Sequence, residues 1–483
     1  VGRDEPKESR RGDRVIGALL AVAATAFALV AAVPYAGSPN DGSRLATVEA
    51  LVDYHTLAID DSIYVKPPPK TSPREKLPYP AHWAILPDTG TVDKLRVNGH
   101  FYSDKPPTPA LFLAGVYQLL QWTTGLKATE RADLFCWAMT VASSGLAYVL
   151  AVWGTFQLGR ALRLGRGSAL LLALSLGAST VAAIYVCQVN NHILQLGVAV
   201  LLLWQAIRLA EGPAAAAGAW RLALIGTLAG LGYAIEQASG ALLLAGTVLV
   251  VGWYCRGWRG AALAAGAALP WVVLHHAVTY SFAHTLRPIG AVPEYFDYPG
   301  SEFHAGNLTG LWNHPSLADF ADYSWRLLFG GRGFIQSNVP LFLALAAGAL
   351  LLWRRRPERP LLWLAALWAA GTWLVYAALS RNYAGVCCSI RWFVPLLAPA
   401  YLVLAVLLRD HPAYRLDLLL LSGWGARLAF LMWDDGPWGY SAWLDGDVFW
   451  DLQTWALATW AGCRAACWAW GWYRLRRPAL ARA

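Results

Sequence analysis

Apolar residues along this chain gather in runs of about 16–27, and roughly 20 suffice to cross a bilayer as a helix. A bilayer offers the backbone no water, so helix is the conformation expected of each run. The first run, residues 15–35, is long enough to span and lacks a small-residue cleavage site, which predicts a retained helix rather than a signal peptide. Residues 37–107 follow as the longest polar stretch, rich in Pro, Asp, Lys and His. No polar segment is long enough for an independent domain, so the reading is one bundle over 1–483 with 37–107 as a loop within it.

Polar junctions between later runs are of two kinds. One kind is basic: Arg160/Arg163/Arg166, Arg208 with Arg221, Arg256/Arg259, Arg354–Arg356 with Arg359, Arg409/Arg415, and Arg474/Arg476/Arg477. The other holds Asn190-Asn191-His192, Glu236-Gln237, residues 279–337, 381–391 and 433–447. The kinds alternate. Under the positive-inside rule the basic junctions and the segment before Val15, with Arg3, Lys7, Arg10, Arg11 and Arg14, face the cytoplasm. The 37–107 loop then lies outside. Apolar stretches 108–123 and 132–158 break the alternation if both cross, so the pattern predicts about 11–13 crossings.

Composition agrees. Charged residues make up 14% of the chain, against roughly 25% in soluble domains. Trp122, Trp204, Trp220, Trp253 and Tyr254 stand at run ends, as interfacial aromatic belts do. The net charge of +9 is dispersed in short inter-run clusters, which excludes a nucleic-acid surface. The seven cysteines show no CxxC spacing and read as small core residues, the adjacent Cys387–Cys388 pair left open. The fold class is thus all-α, integral membrane and polytopic, with a large first extracytoplasmic loop.

That loop concentrates the candidate chemistry: Asp41 and Arg44, Asp60-Asp61, Asp93-Lys94, then Ser103-Asp104-Lys105-Pro106-Pro107. A carboxylate can accept a proton from an attacking hydroxyl or position a metal, and an adjacent cation can clamp a phosphate leaving group. Isolated loop carboxylates are more often simply solvated. The two prolines are less ordinary, because they fix φ and remove two donors, so Lys105 enters the following helix at a set angle.

Two ordered segments carry a resemblance. Arg44-Leu45-Ala46 leads through Ala50-Leu51-Val52-Asp53-Tyr54-His55-Thr56-Leu57-Ala58-Ile59-Asp60, and Val92-Asp93-Lys94 leads through Asn98-Gly99-His100-Phe101-Tyr102-Ser103-Asp104-Lys105-Pro106-Pro107. This order resembles the N-terminal half of bacterial GT-C glycosyltransferases, relatives of the aminoarabinose-lipid A transferases and protein O-mannosyltransferases. The resemblance implies that the acid before the Arg-Leu-Ala helix, Asp41, is the catalytic base, with Arg44 and Lys105-Pro106-Pro107 at the family's Arg and Lys-Pro-Pro. It departs where the family commonly has Asp-Glu: here Gly42 follows Asp41, so Asp60, Asp61 and Asp104 stay as rival bases. Tyr298-Pro299-Gly300-Ser301, Leu328 to Phe334, and Asn382-Tyr383-Ala384-Gly385 through Arg391-Trp392 to Pro395 extend the likeness. Nothing after about Leu408 adds to it.

Elsewhere, Arg391 opens an apolar run after an external junction, which makes it a functional candidate or a snorkelling interfacial residue. Its guanidinium fork suits a phosphate. His192 and Glu236 sit at external junctions and stand as further substrate-binding candidates beside their bland reading as polar helix ends. His275 and His276 point about 100° apart on a helix and so do not share a metal. Asp434-Asp435 reads as a solvated turn able to take a cation, and Asn307-Leu308-Thr309 matches a glycosylation acceptor pattern. No nucleotide-binding glycine motif is present, which fits a lipid-phosphate donor.

The expected function is transfer of a sugar from a polyprenyl-phosphate donor to a lipid, glycan or protein hydroxyl outside a bacterial inner membrane, with inversion. Lys105 and Arg391 would hold the phosphate, and Asp41, then Asp104 or Asp60, would act as base. No metal site is assigned, and a divalent cation is left open as cofactor. The rivals are a transporter or lipid flippase, which would show internal repeats, and a non-catalytic relative that binds lipid-linked sugar.

Overall fold

The computed structural model describes residues 7–80, 86–211, 218–353, 356–438 and 447–480. Eight helices among them are long and apolar enough to cross a bilayer, from Arg11–Ala31 to Pro412–Trp433. Leu317–Ser337 and Leu341–Leu351, bent by 106°, supply a ninth as one broken span. Two shorter apolar helices, Arg166–Ala178 and Ala219–Ile235, pack in the same bundle. The described residues thus hold eight such helices, or nine with the bent pair, fewer than the expected count of about 11–13. The protein is an all-helical integral membrane protein whose only sheet among the described residues is the hairpin Lys94–Val97 with His100–Ser103. Arg3, Arg354, Arg355 and residues 439–446 lie outside the described residues, as do the side chains of Asp434, Asp435, Arg474, Arg476 and Arg477.

The broken alternation resolves at Pro107–Thr124. That helix lacks the hydropathy of a span, whereas Ala132–Ala161 has it. Instead of crossing, it packs along the Pro39–Asp53 helix, where Tyr117 donates to Asp53 at 2.9 Å and Gln121 bonds the same carboxylate. One crossing therefore separates the loop from the Arg160 cluster, as the positive-inside rule requires.

The 37–107 segment shares a core with the Pro107–Thr124 helix and the start of Ala132–Ala161, with Leu45, Val48, Ile59, Tyr64, Tyr79, Tyr117 and Phe135 buried together. A third cluster joins the hairpin to the long later loop through Leu95, Val97, Ile289, Phe296 and Leu308. The loop is thus a folded cap on one end of the bundle. Beneath it, the long crossing helix relaxes into a π-helical turn at Val141–Gly145, a feature often found at functional sites. Ser144 there donates to Gln188 O at 2.6 Å and accepts from Asn190 N at 3.0 Å, so the turn props the Asn190-Asn191 corner.

Helix packing in the bundle uses small residues. A Cβ on Gly226 would lie 2.0 Å from Ala264 O, and one on Gly230 2.5 Å from Ala268 O. The two small-xxx-small faces let the Ala219–Ile235 and Trp258–Ala283 helices touch backbone to backbone, where apolar lipid gives no hydrophobic drive to associate. Their far ends carry Glu236 and the histidines towards the cap. All seven cysteines are free, Cys387 and Cys388 included.

Candidate functional site

Ser38 starts the Pro39–Asp53 helix. Its backbone is extended and its hydroxyl accepts from Asn40 N at 3.1 Å and Asp41 N at 3.3 Å, with Pro39 at the first helical position. Asp41 reaches back in the manner of a capping box: Oδ2 accepts from Gly37 N at 2.8 Å and Oδ1 from Ser38 Oγ at 3.2 Å. Residues 40–50 are buried on every face, which is unusual for a polar helix and places its side chains inside the cap–bundle interface. Burial pushes the Asp41 carboxyl up to about 7, against the pull of Arg44, the Gly37 N–H, Ser38 and Arg391.

Gly42 is small for a physical reason. A Cβ there would lie 2.0 Å from the Tyr79 hydroxyl oxygen, which itself donates to Tyr64 O at 3.0 Å. The position where the resembled family commonly carries a second acid is filled here by a tyrosine from the loop.

One turn on from Asp41, Arg44 points into the interface. It donates to Asn40 O at 2.8 Å, to the Asn40 side-chain carbonyl and to the Asn191 side-chain carbonyl. These partners are neutral, and its buried Nε has none. Burial and the nearby Arg391 charge lower Arg44 to about 10. Asn191 passes the contact on to Glu236, whose other oxygen accepts from Tyr376 OH at 3.0 Å. His192 Nδ1 lies 3.6 Å from Glu236, outside hydrogen-bond range.

Lys105 stands between two carboxylates, 2.8 Å from Asp93 Oδ2 and 2.7 Å from Asp104 Oδ2. Asn40 Nδ2 donates to the same Asp93 oxygen at 3.0 Å, which ties the lysine cluster to the Asp41 helix. Burial alone would raise Asp93, but Lys105, Arg391 and the Asn40 bond bring it below the ordinary carboxylate value. For Asp104, burial prevails over Lys105 and the Asp93 charge adds to it, so its carboxyl is raised. Ser43 and Ser103 meet at 2.6 Å beside them. A narrow cleft lined by Arg44, Ser103, Lys105 and Phe282 opens at this point.

Arg391 arrives from the bundle side. Three of the eight described non-glycine residues with positive φ fall in the loop before it: Tyr383, Ala384 and Ser389. Such conformations cost of order 1–2 kcal/mol each, and they concentrate where a chain is held for a purpose. The guanidinium sits 5.0 Å from the centre of the Trp438 ring, and its Nε is buried without a partner. Trp438 Nε1 in turn donates to Asp41 Oδ2 at 2.9 Å.

The structure therefore gathers Asp41, Arg44, Asp104, Lys105, Arg391, His192 and Glu236 at one junction. Asp60 stands apart: it accepts from Phe101 N at 3.2 Å and meets His100 at 3.2 Å, holding the hairpin in place. Asp61 pairs with Lys66 on the surface. The sequence marks Asp93 among the loop carboxylates but gives it no role, and it gives Asn40, Asn191, Tyr376 and Trp438 none either. Of these four, Asn40 and Asn191 had a signal, each beside a residue already singled out. No group of three or more His, Cys, Asp and Glu side chains among the described residues could hold a metal ion.

No protein-family model matches the sequence, and no curated protein matches it. Among solved structures the chain is similar to ArnT from Cupriavidus metallidurans in the apo state, with TM-score 0.48 and 14% identity over 94% of this chain and 76% of that one. The same protein bound to undecaprenyl phosphate gives 0.47 and 14% over 92% and 75%. The apo oligosaccharyltransferase of Archaeoglobus fulgidus gives 0.46 and 10% over 88% of this chain and 57% of that one.

Proposed function

We propose that this protein transfers a sugar from a polyprenyl-phosphate donor to an acceptor hydroxyl, at a site between the first loop and the extracytoplasmic ends of the bundle. The observation that carries this reading is the pair Arg44 and Arg391. Both guanidiniums keep a buried Nε without a partner, and among the described residues neither meets a carboxylate within ion-pair distance. Buried cations without counter-ions are costly unless an anion completes them, and a fork of N–H groups suits a phosphate.

In the proposed reaction the acceptor oxygen attacks the anomeric carbon as its proton passes to Asp41. The bond from that carbon to the phosphate oxygen breaks, and polyprenyl phosphate leaves with the electron pair. Arg44 and Arg391 would take up the charge that develops on the phosphate. Asp41 Oδ2 is engaged by two N–H donors and Oδ1 by the Ser38 hydroxyl alone, so Oδ1 is the oxygen with room to receive the proton. A single displacement inverts the anomeric centre. Lys105, neutralised by Asp93 and Asp104, would order the acceptor side rather than bind phosphate. The positive-inside pattern supports a site on the non-cytoplasmic face of the membrane.

A second reading has its own observation. Asp41 caps a helix, and that role alone accounts for its bonds to Gly37 and Ser38. On this reading the protein binds a lipid-linked sugar without turning it over.

The test is purified protein with a panel of polyprenyl-phosphate sugars, followed by mass spectrometry, beside Asp41→Asn and Arg391→Ala. Turnover lost in both variants supports transfer. Donor binding without turnover, lost in Arg391→Ala and kept in Asp41→Asn, supports the binding protein. If neither binding nor turnover occurs with any donor, both readings fall.

A further inference from the structure

A cavity lies away from the candidate site, towards the other ends of the same helices. It has a volume of ≈ 1450 Å³ and opens between the ends of Asn191–Glu211, Gln237–Tyr254 and Arg359–Ala378. At their opposite ends these helices carry Asn191, the capping Glu236 and Tyr376. The 18-residue Gln237–Tyr254 helix is about 27 Å long, so the basic mouth of the cavity stands about a membrane thickness from the site, while its apolar wall extends along the helix as far as Leu242.

Its walls and its mouth differ in chemistry. Leu242, Leu249, Trp253, Trp363 and Leu367 form apolar walls. Leu249, Trp253 and Leu367 are 75%, 72% and 64% exposed and so open towards lipid. Arg256, Arg356 and Arg359 line the mouth. Tyr254 OH donates to Pro357 O at 2.8 Å and ties its two sides together. Arg356 is paired with Asp410, yet its side chain is only 8% exposed and its Nε has no partner. Arg256 and Arg359 meet no carboxylate among the described residues. The positive-inside rule puts this basic end in the cytoplasm.

We propose that this cavity binds an anionic glycerophospholipid of the cytoplasmic leaflet, an acyl chain between the leucine and tryptophan walls and the phosphate at Arg256, Arg359 and the free Arg356 N–H. Charge complementarity selects the occupant. A zwitterionic lipid fills the walls equally well but leaves the Arg256 and Arg359 guanidiniums without net counter-charge, and basic pockets between membrane helices on this side suit anionic headgroups. Occupancy does not depend on the chemistry at the opposite end.

The experiment is native mass spectrometry of the full-length protein equilibrated in micelles with equal phosphatidylglycerol and phosphatidylcholine. Each arginine gives about fivefold preference at a membrane surface, so Arg256 and Arg359 together predict roughly twenty-five-fold retention of phosphatidylglycerol over phosphatidylcholine. Arg256→Gln with Arg359→Gln should erase the preference without lowering phosphatidylcholine retention. Arg256→Lys with Arg359→Lys should keep it, which separates charge from misfolding. Ala245→Trp, on the exposed cavity wall, should lower retention of both lipids. Equal retention by the wild type, or a preference that survives the double glutamine variant, overturns the proposal.

Discussion

Trp438 donates its indole N–H to Asp41 at 2.9 Å, joining residues 397 positions apart in the chain. The same ring lies beneath the Arg391 guanidinium, so one side chain sets both the carboxylate and the cation. Trp438→Phe keeps the ring and removes the donor. A hydrogen bond to a charged group contributes about 1.5–3 kcal/mol, equivalent to roughly 1–2 pH units in the titration of Asp41. The pH–rate inflection should move up by that amount while donor KM changes little. An unmoved inflection would detach Trp438 from the chemistry.

The wild-type pH dependence follows from the same carboxyl. With Asp41 pushed up to about 7 by burial, kcat/KM should rise with pH and level off above about 7 as the base ionises. Stability should run the other way. The folded protein keeps a proton that the unfolded chain releases from about pH 4, so stability falls between about pH 4 and 7 and is flat above. Asp41→Asn should abolish turnover and flatten this part of the thermal-stability profile. A variant that melts with the wild-type pH slope would assign the slope to another group.

The membrane architecture was legible because a bilayer imposes one rule on every crossing segment, and the apolar runs obey it. Lys105-Pro106-Pro107 was legible for a local reason, two prolines in sequence. What escaped lacks any local signature. The contact of Trp438 with Asp41 depends on the whole bundle closing. Asp93-Lys94 stands in the sequence as a carboxylate with an adjacent cation, but the strand turns Lys94 over the Phe101 ring at 4.9 Å and leaves Asp93 to Lys105. At 190–192 the histidine drew notice, whereas Asn191 makes the bonds to Arg44 and Glu236 because adjacent helical positions point about 100° apart. The 108–123 stretch is apolar enough to leave a crossing open in the sequence, and what decides it, the bonds of Tyr117 and Gln121 to Asp53, lies more than sixty residues away in the chain.

The two arginines should separate by variant. Arg391→Lys keeps a charge but loses the fork, and should raise donor KM about tenfold. Arg391→Ala should lower kcat/KM by about a hundredfold or more, within the range for losing one partner of a buried charge contact. Free polyprenyl phosphate should inhibit the wild type and lose potency in both variants, in the same order. Unchanged inhibition in Arg391→Ala would place the phosphate elsewhere. Arg44→Lys is the gentler probe at its position, since Arg44 also bonds Asn40 and Asn191 across the interface.

Gly42 gives a stability test independent of catalysis. In Gly42→Ala the new Cβ would lie 2.0 Å from the Tyr79 hydroxyl oxygen, an overpacking that costs on the order of 1–3 kcal/mol. Tyr79→Phe alone loses one hydrogen bond, about 1 kcal/mol. The double variant should be less destabilised than the sum, because removing the hydroxyl removes the worst contact. Relief should be partial, since the ring carbon Cζ still lies 2.9 Å away. Denaturation midpoints of the four proteins in one detergent measure the coupling, and strict additivity would refute the contact.

Lys105 bears on the question of a metal. Its ammonium bridges Asp93 and Asp104 at 2.8 and 2.7 Å, the place where a divalent cation would otherwise join the two carboxylates. The wild type should therefore turn over unchanged in the presence of a chelator. Lys105→Ala leaves two buried carboxyls facing each other, and their repulsion drives one of them to hold a proton. Activity of that variant should fall at least tenfold, by the usual worth of a positioned charge. Millimolar magnesium or calcium, which prefer oxygen ligands such as these carboxylates and the Ser43 and Ser103 hydroxyls, should restore part of it. Lys105→Arg controls for packing and should need no cation. Chelator inhibition of the wild type would overturn the reading that Lys105 takes the place of a metal.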